Sequence, residues 1–304
     1  MRRKRNKFNT IRNTVIIVFF IVLCSLVFTG YTYFSKADVQ AKENQVLQAK
    51  AQEIKEKAKE YKKAKDLSTK ANDTSHVDAY DIQKISAIAD YKGEKDGKKI
   101  AFLTFDDGPS TTVTPQILDV LKNNNIKATF FTVGKLIESN NSSKDLIKRI
   151  FEEGHAIGNH SYSHEMKRLY PHNKLDVNAF MTELEKNNNI LKDILGQAFN
   201  ARAIRMPGGY MSRLYYKDPS LIELNAKLKE KDLYSIDWNA YIFDAEGEKK
   251  TAPELVEAFK QSVGTQEKIV VLMHDTYGKE ETSKALPEII DYLKTNGYEF
   301  KIIK

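Results

Sequence analysis

Between residues 99 and 304, short apolar runs rich in β-branched and aromatic residues alternate with longer amphipathic patterns. The runs cover 100–105, 128–133, 155–158, 203–205, 233–238, 269–273 and 298–303. Helical periodicity falls between them at 115–124, 145–153, 177–195, 220–230, 253–262 and 284–295. A helix-length crossover returns the chain to the same end of a sheet, so strands joined this way pair in parallel. The alternation therefore predicts an α/β fold with seven parallel strands and a folded domain spanning 99–304. Thr114-Pro115 predicts a cap followed by proline at the first helical position, and Gly154 and Gly297 fall where helices should stop.

The segment before this domain has a different character. Residues 15–34 contain no charged side chain, and at ~1.5 Å per helical residue they match a bilayer core of ~30 Å. Residues 1–14 carry six basic side chains and no acid, so the positive-inside rule predicts a cytoplasmic tail, a transmembrane helix and an extracellular remainder. A cleaved signal peptide is the alternative. The run is long for its ~7–15-residue apolar region, and no small-x-small site follows. Residues 35–71 read as a helical stalk, with Leu47, Ala51, Ile54, Ala58 and Tyr61 at alternating spacings of four and three. Two heptads allow only weak self-association. Residues 72–98 read as a linker with an ordered patch around 82–88. The net charge of +7 resides in the tail and stalk, leaving 72–304 at −3, which argues against a nucleic-acid partner. A single cysteine excludes a disulfide framework or a thiolate-rich zinc site within the chain.

Parallel α/β folds place their chemistry at the carboxyl ends of the strands. Those ends carry Asp106-Asp107-Gly108-Pro109, His160 to His164, Arg205 to Gly209, Asp237-Trp238 with Asp244 beyond, and His274-Asp275. Two histidines four apart with a carboxylate make a three-ligand site with open positions, suited to a catalytic divalent metal. A second carboxylate and a further histidine add a base and an acid, the equipment for hydrolysing an amide or ester. A two-metal phosphoesterase needs more carboxylates than the rim offers. A two-His-one-carboxylate iron oxygenase would leave Asp106, Arg205 and His274 without roles. No dinucleotide fingerprint follows the first strand, and no GxSxG elbow is present. His155 and His172 lie away from the strand ends, and His76 lies in the linker.

Thr104-Phe105-Asp106-Asp107-Gly108-Pro109, His160-Ser161-Tyr162-Ser163-His164, Arg205-Met206-Pro207-Gly208-Gly209 and Leu272-Met273-His274-Asp275 together resemble the polysaccharide deacetylases of carbohydrate esterase family 4. The resemblance covers roughly 99–304 and implies a distorted (β/α) barrel. It implies removal of an acetyl group from a polysaccharide with a divalent metal, usually zinc. By position, Asp107, His160 and His164 resemble the metal ligands and Asp106 the general base that activates the attacking water. His274 resembles the general acid, Arg205 the residue that orients Asp106, Gly208 an oxyanion donor and Leu272 the wall of the acetyl pocket. The family's Asp-Trp motif, whose aspartate pairs with the catalytic histidine, leaves two alignments. Asp237-Trp238 matches by identity, with Trp238 as a groove wall. If Trp238 instead ends the strand, Asp244 becomes the partner of His274 and Ala245 replaces the groove tryptophan. Asp244, past the strand end, is the favoured partner.

An external domain on a membrane tether faces the wall of a bacterium, so peptidoglycan N-acetylglucosamine is the expected substrate. Capsular amino sugars, chitin-like polymers and O-acetylated xylan are the alternatives. An inactive wall-binding protein on the same fold is the contrary expectation, and the full set of acids and histidines argues against it.

Overall fold

The computed structural model describes residues 79–303 together with Gln45, Gln48, Gln52, Lys55 and Glu56, which are helical and exposed. The tail, the apolar run 15–34 and the rest of the stalk lie outside the described residues. Among the described residues no helix is long and apolar enough to cross a membrane.

All seven predicted strand regions and all six helical regions carry the expected elements. In chain order the strands are β1 (Ala79–Tyr80), β2 (Ile100–Gly108), β3 (Thr129–Thr132), β4 (Ala156–Asn159) and β5 (Ala203–Ile204). They continue with β6 (Tyr234–Ser235), β7 (Ala240–Tyr241), β8 (Lys268–His274), β9 (Glu299–Phe300) and β10 (Ile302–Ile303). The main sheet runs β6-β5-β4-β3-β2-β8-β7, with β9 also on β2, and every pairing is parallel. Its two end strands, β6 and β7, are consecutive in the chain and separated only by residues 236–239. The Ile236 N–H still bonds to Ile204 of β5, while the Asn239 N–H bonds to Val270 of β8. The sheet thus curls until one short segment bridges its edges.

This seam accounts for the strand count. The apolar run 233–238 anticipates β6, but β7 begins beyond it, because the chain changes neighbours within a few residues. The last run divides likewise, β9 pairing with β2 and β10 with β1. Among the described residues the sheet has eight strands and not seven, with a separate two-stranded pair.

Strand parity sorts the core. Ala101, Leu103 and Phe105 of β2 pack outward with Ile269, Val271 and Met273 of β8 against the surrounding helices. Phe102 and Val270 face the interior with Phe131, Ala203 and Ile236. The period of two that points Phe102 and Val270 inward also points Thr104, Asp106, Leu272 and His274 inward, nearer the carboxyl end. A buried barrel interior with polar groups stacked at one end follows from that parity.

The ordered patch expected inside the linker is the helix Ile82–Ala89, capped by Asp81. Its Ile82, Ile85 and Ile88 are buried in the same interior cluster as Phe102 and Val270. This stretch is part of the folded body. Other helix ends follow local chemistry: Asp176 caps Val177–Leu195, and Thr251 and Glu254 form a capping box on Ala252–Val263. Gly154 and Gly297 have positive φ just past their helices. Thr114 departs from expectation. It is the first residue of the helix Thr114–Asn123 and Pro115 the second. The N-cap residue is Val113, which has no side-chain cap bond and whose own N–H donates to the Ser110 hydroxyl at 3.0 Å. Thr114 instead donates to the Asp275 carboxylate at 2.6 Å, a buried acceptor that would otherwise lose a partner.

Candidate active site

Two adjacent aspartates on a regular strand would point to opposite faces. Here the register between β2 and β3 shifts between Asp106 and Gly108, and Asp107 has φ 67°. The bulge re-aims Asp107, so that both carboxylates serve one site. An added Cβ on Gly108 would collide with the Asp275 carboxylate, so glycine is required at this crowded turn.

His160 follows β4 and His164 ends the turn after it. Asp107 Oδ1 lies 3.3 Å from Nε2 of each imidazole. The three offer ligand atoms within 4.8 Å of one another. His160 Nδ1 lies 2.7 Å from the Arg205 carbonyl oxygen, so the proton belongs on Nδ1 and the Nε2 lone pair faces the cluster. Asp107 Oδ1 is buried and has no hydrogen-bond donor among the described residues. Burial opposes the Asp107 charge, but His160, then His164 and His274, hold its carboxyl well below the usual range. Burial, with the neighbouring His160, lowers the basicity of His164. Two imidazole lone pairs and an unsatisfied carboxylate are a donor set that fits a zinc-type ion.

Arg205 is fully buried where the seam closes. Its Nη1 donates to Asp106 Oδ1 at 2.8 Å and to Thr104 Oγ1 at 2.7 Å. Its Nε and Nη2 donate to the carbonyls of Ile236 and Asp237 in the bridging segment. One side chain therefore holds Asp106 and links β2 to the segment that bridges the edges of the sheet. Its guanidinium lies over the Phe131 ring, 4.1 Å from the centroid.

His274 is the register partner of Asp106 on the adjoining strand. Its Nδ1 lies 2.8 Å from Asp244 Oδ1, and its backbone N–H donates to Asp244 Oδ2 at 2.9 Å. Thr282 Oγ1 donates to the same Oδ2 at 2.8 Å. Burial disfavours the imidazolium, but the hydrogen bond and charge of Asp244, helped by Asp106 and Asp107, push His274 up to about 9. Asp237 accepts instead from the N–H groups of Tyr210 and Met211, at 2.9 and 2.7 Å. It caps the helix Tyr210–Tyr215 and does not meet His274. Burial raises its pKa.

The remaining candidates divide. Leu272 is buried in β8 opposite Thr104 and Tyr241, and Gly208 is exposed on the rim. Trp238 packs against the interior cluster, 5.6 Å from the Arg205 guanidinium and beneath Gly209, so it underlies the rim. Ala245 is exposed beside Asp244. His155 is buried at the start of β4 and His172 is exposed, both away from the cluster.

Sequence reasoning missed several supporting groups. Thr104 Oγ1 donates to the Val271 carbonyl of β8, and Thr282 Oγ1 donates to Asp244. The buried Asp275, named at its strand end but given no role, accepts from Thr114, with burial pushing it up to about 7. Glu183 and Asn187 sit on the buried face of Val177–Leu195. Their signal was present, since Asn187 interrupts the apolar stripe Phe180, Leu184, Leu191 and Leu195.

Residues 93–225 match the family model described as polysaccharide deacetylase. Over 208 residues the chain is 32% identical to a peptidoglycan-N-acetylglucosamine deacetylase of Bacillus cereus, covering 67% of this chain and 69% of that one. Its fold is similar to that of a CE4 esterase of Streptococcus mutans, with a TM-score of 0.68 and 34% identity over 77% of this chain and 95% of that one. It is also similar to the catalytic domain of a peptidoglycan N-acetylglucosamine deacetylase from Eubacterium rectale, at TM-score 0.59 and 32% identity over 69% and 91%. Likeness of this extent in both sequence and barrel shows that the chain belongs to the polysaccharide deacetylase family of hydrolases, carbohydrate esterase family 4.

Proposed function

We propose that this deacetylase is a zinc-dependent enzyme that removes the N-acetyl group from N-acetylglucosamine in peptidoglycan, working outside the cell on a membrane tether. The observation that carries the reading is the convergence of Asp107, His160 and His164 beside a second carboxylate, Asp106, with the His274–Asp244 pair on the next strand. Asp107, His160 and His164 would hold the ion. When bound, a divalent ion supplies Lewis acidity toward water and toward the acetyl carbonyl.

Asp106, fixed by Arg205, takes the proton from the attacking water. His274 carries its proton at neutral pH because Asp244 favours the imidazolium, and it gives that proton to the sugar nitrogen as the C–N bond breaks. The products are acetate and a free amine. Gly208 offers a backbone N–H to the oxyanion, and Leu272 an apolar contact for the acetyl methyl. The peptidoglycan deacetylase names of the Bacillus cereus and Eubacterium rectale relatives support that polymer. The uncharged run 15–34 after a basic tail supports the tether.

The test is acetate release from peptidoglycan and from an acetylated chitooligosaccharide by the detergent-solubilised full chain. Zinc should be stoichiometric in the parent and lost, with activity, in His160→Ala or His164→Ala. Failure of the zinc-loaded parent to release acetate from peptidoglycan would sink the substrate, and retention of zinc by both variants would sink the ligand set.

A further inference from the structure

The turn carrying His160 and His164 is one that the backbone alone does not favour. Ser161 and His164 have φ of 69° and 55°, a region L-residues hold only when their surroundings impose it. The surroundings here are one face of the helix Val177–Leu195. Glu183, Lys186 and Asn187 stand at i, i+3 and i+4, so they share that face.

Each residue between the two histidines meets one of these three. Asn187 Nδ2 lies 3.1 Å from the Ser161 carbonyl, 2.7 Å from that of Thr132 and 3.0 Å from Asn159 Oδ1. Lys186 Nζ stands 3.3 Å from the centroid of the Tyr162 ring. Glu183 Oε2 accepts the Ser163 N–H at 3.0 Å and Oε1 accepts the Ser163 hydroxyl at 2.7 Å. Asn159 completes the clamp, donating to the Leu184 carbonyl at 2.8 Å and accepting from Ser161 N–H at 3.0 Å. Glu183 is 2% exposed and Asn187 fully buried, among Phe180, Leu184 and Leu191. Arg168 pairs with Glu183 at 3.0 Å from the solvent side. Apolar side chains would pack these two positions without desolvating a charge and an amide, so a plain packing role does not account for them.

We propose that Glu183 and Asn187 are positioning residues that set the separation and aim of the His160 and His164 imidazoles toward the metal. This rests on the metal reading of the Asp107, His160 and His164 cluster. The mechanism is geometric: the carboxylate and the amide hold the turn in its left-handed conformation, and the two Nε2 lone pairs converge as a consequence. Metal affinity is then the property that reports on them, since supporting groups of this kind change it by ~10–100-fold.

The experiment is competition of the full chain with a chromophoric chelator for Zn²⁺, together with the cobalt absorption spectrum and the thermal midpoint of metal-free protein. Glu183→Ala and Asn187→Ala are expected to weaken zinc binding by ~10–100-fold and alter the cobalt spectrum. Glu183→Gln, which keeps an acceptor for the Ser163 N–H, should recover most of that loss. If Glu183→Ala does not fold, Ser163→Ala removes the hydroxyl half of the same contact while keeping the N–H half, and a smaller loss of zinc affinity in the same direction is expected. Parental zinc affinity in the alanine variants, with only the thermal midpoint lowered, would overturn the proposal and leave the metal reading standing. A folded parent that binds no zinc would overturn the metal reading itself, and the positioning role with it.

Discussion

Asp237 and Asp244 are chemically identical, and only their surroundings separate their roles. Asp244 receives His274 Nδ1 and the His274 backbone N–H, whereas Asp237 receives two N–H groups of the Tyr210–Tyr215 helix. In the proposed reaction His274 is the acid, which works only while protonated, so its raised pKa should extend activity toward alkaline pH. Removing the Asp244 charge lowers that pKa, and the alkaline limb of the rate profile should move to lower pH. Asp244→Asn is expected to show this displacement with zinc retained and turnover reduced. Asp237→Asn should leave the limb in place and lower only stability, because one of the two N–H groups it serves loses its carboxylate acceptor. A displaced limb in Asp237→Asn alone would mean that the pairing seen here is not the catalytic one.

At the scale of the element, the helix Ile82–Ala89 shows how a short segment can belong to the core. It brings three isoleucines to the interior cluster and would be unstable as a free peptide of eight residues. Ile85 has no exposure, so Ile85→Ala should cost about 2–5 kcal/mol by transfer and cavity terms. The single tryptophan, Trp238, packs on the same cluster, and its fluorescence during denaturant unfolding is the readout. Turnover per folded molecule should change little, because the substitution lies among the interior apolar residues below the polar rim. A loss below about 0.5 kcal/mol would mean that the helix is not docked as described.

Across the whole molecule, two properties follow from where charge is placed. His155 is buried at the amino end of β4, its Nδ1 accepting the Ala128 N–H. Burial, with Lys127 and Arg149 nearby, lowers its pKa to about 3 from an ordinary 6.5. The unfolded chain therefore takes up a proton that the folded chain refuses, and stability falls as pH drops from about 6.5 toward about 3. The stability gap between the parent and His155→Gln should narrow over that interval. A constant gap would show that His155 titrates alike in both states. The second property is orientation. Under the proposed topology, protease added to intact, wall-stripped cells should remove residues 99–304 and spare 1–14, and protection of the catalytic domain would reverse that topology.

Much of this protein was legible in its residue order. Strand and helix alternation is a periodicity within a few residues, and turn chemistry at strand ends is equally local, so the parallel α/β architecture and the strand-end residues could be read directly, while the barrel was implied only by the family resemblance. Asp106, Asp107, His160, His164 and His274 were identifiable because their neighbours in the chain form compact motifs. The tertiary structure decided whatever depended on residues far apart in sequence. It placed Asp244 and not Asp237 beside His274, because the chain crosses the seam between them and leaves Asp237 facing Tyr210. It put Trp238 beneath the rim, drew Ile82–Ala89 into the interior, and turned Thr114 from a cap into a partner of Asp275. It also set Glu183 and Asn187 against the histidine turn. Each of these is a competition among partners separated by many residues, and only the closed packing of the sheet and its helices determines which partner is within reach.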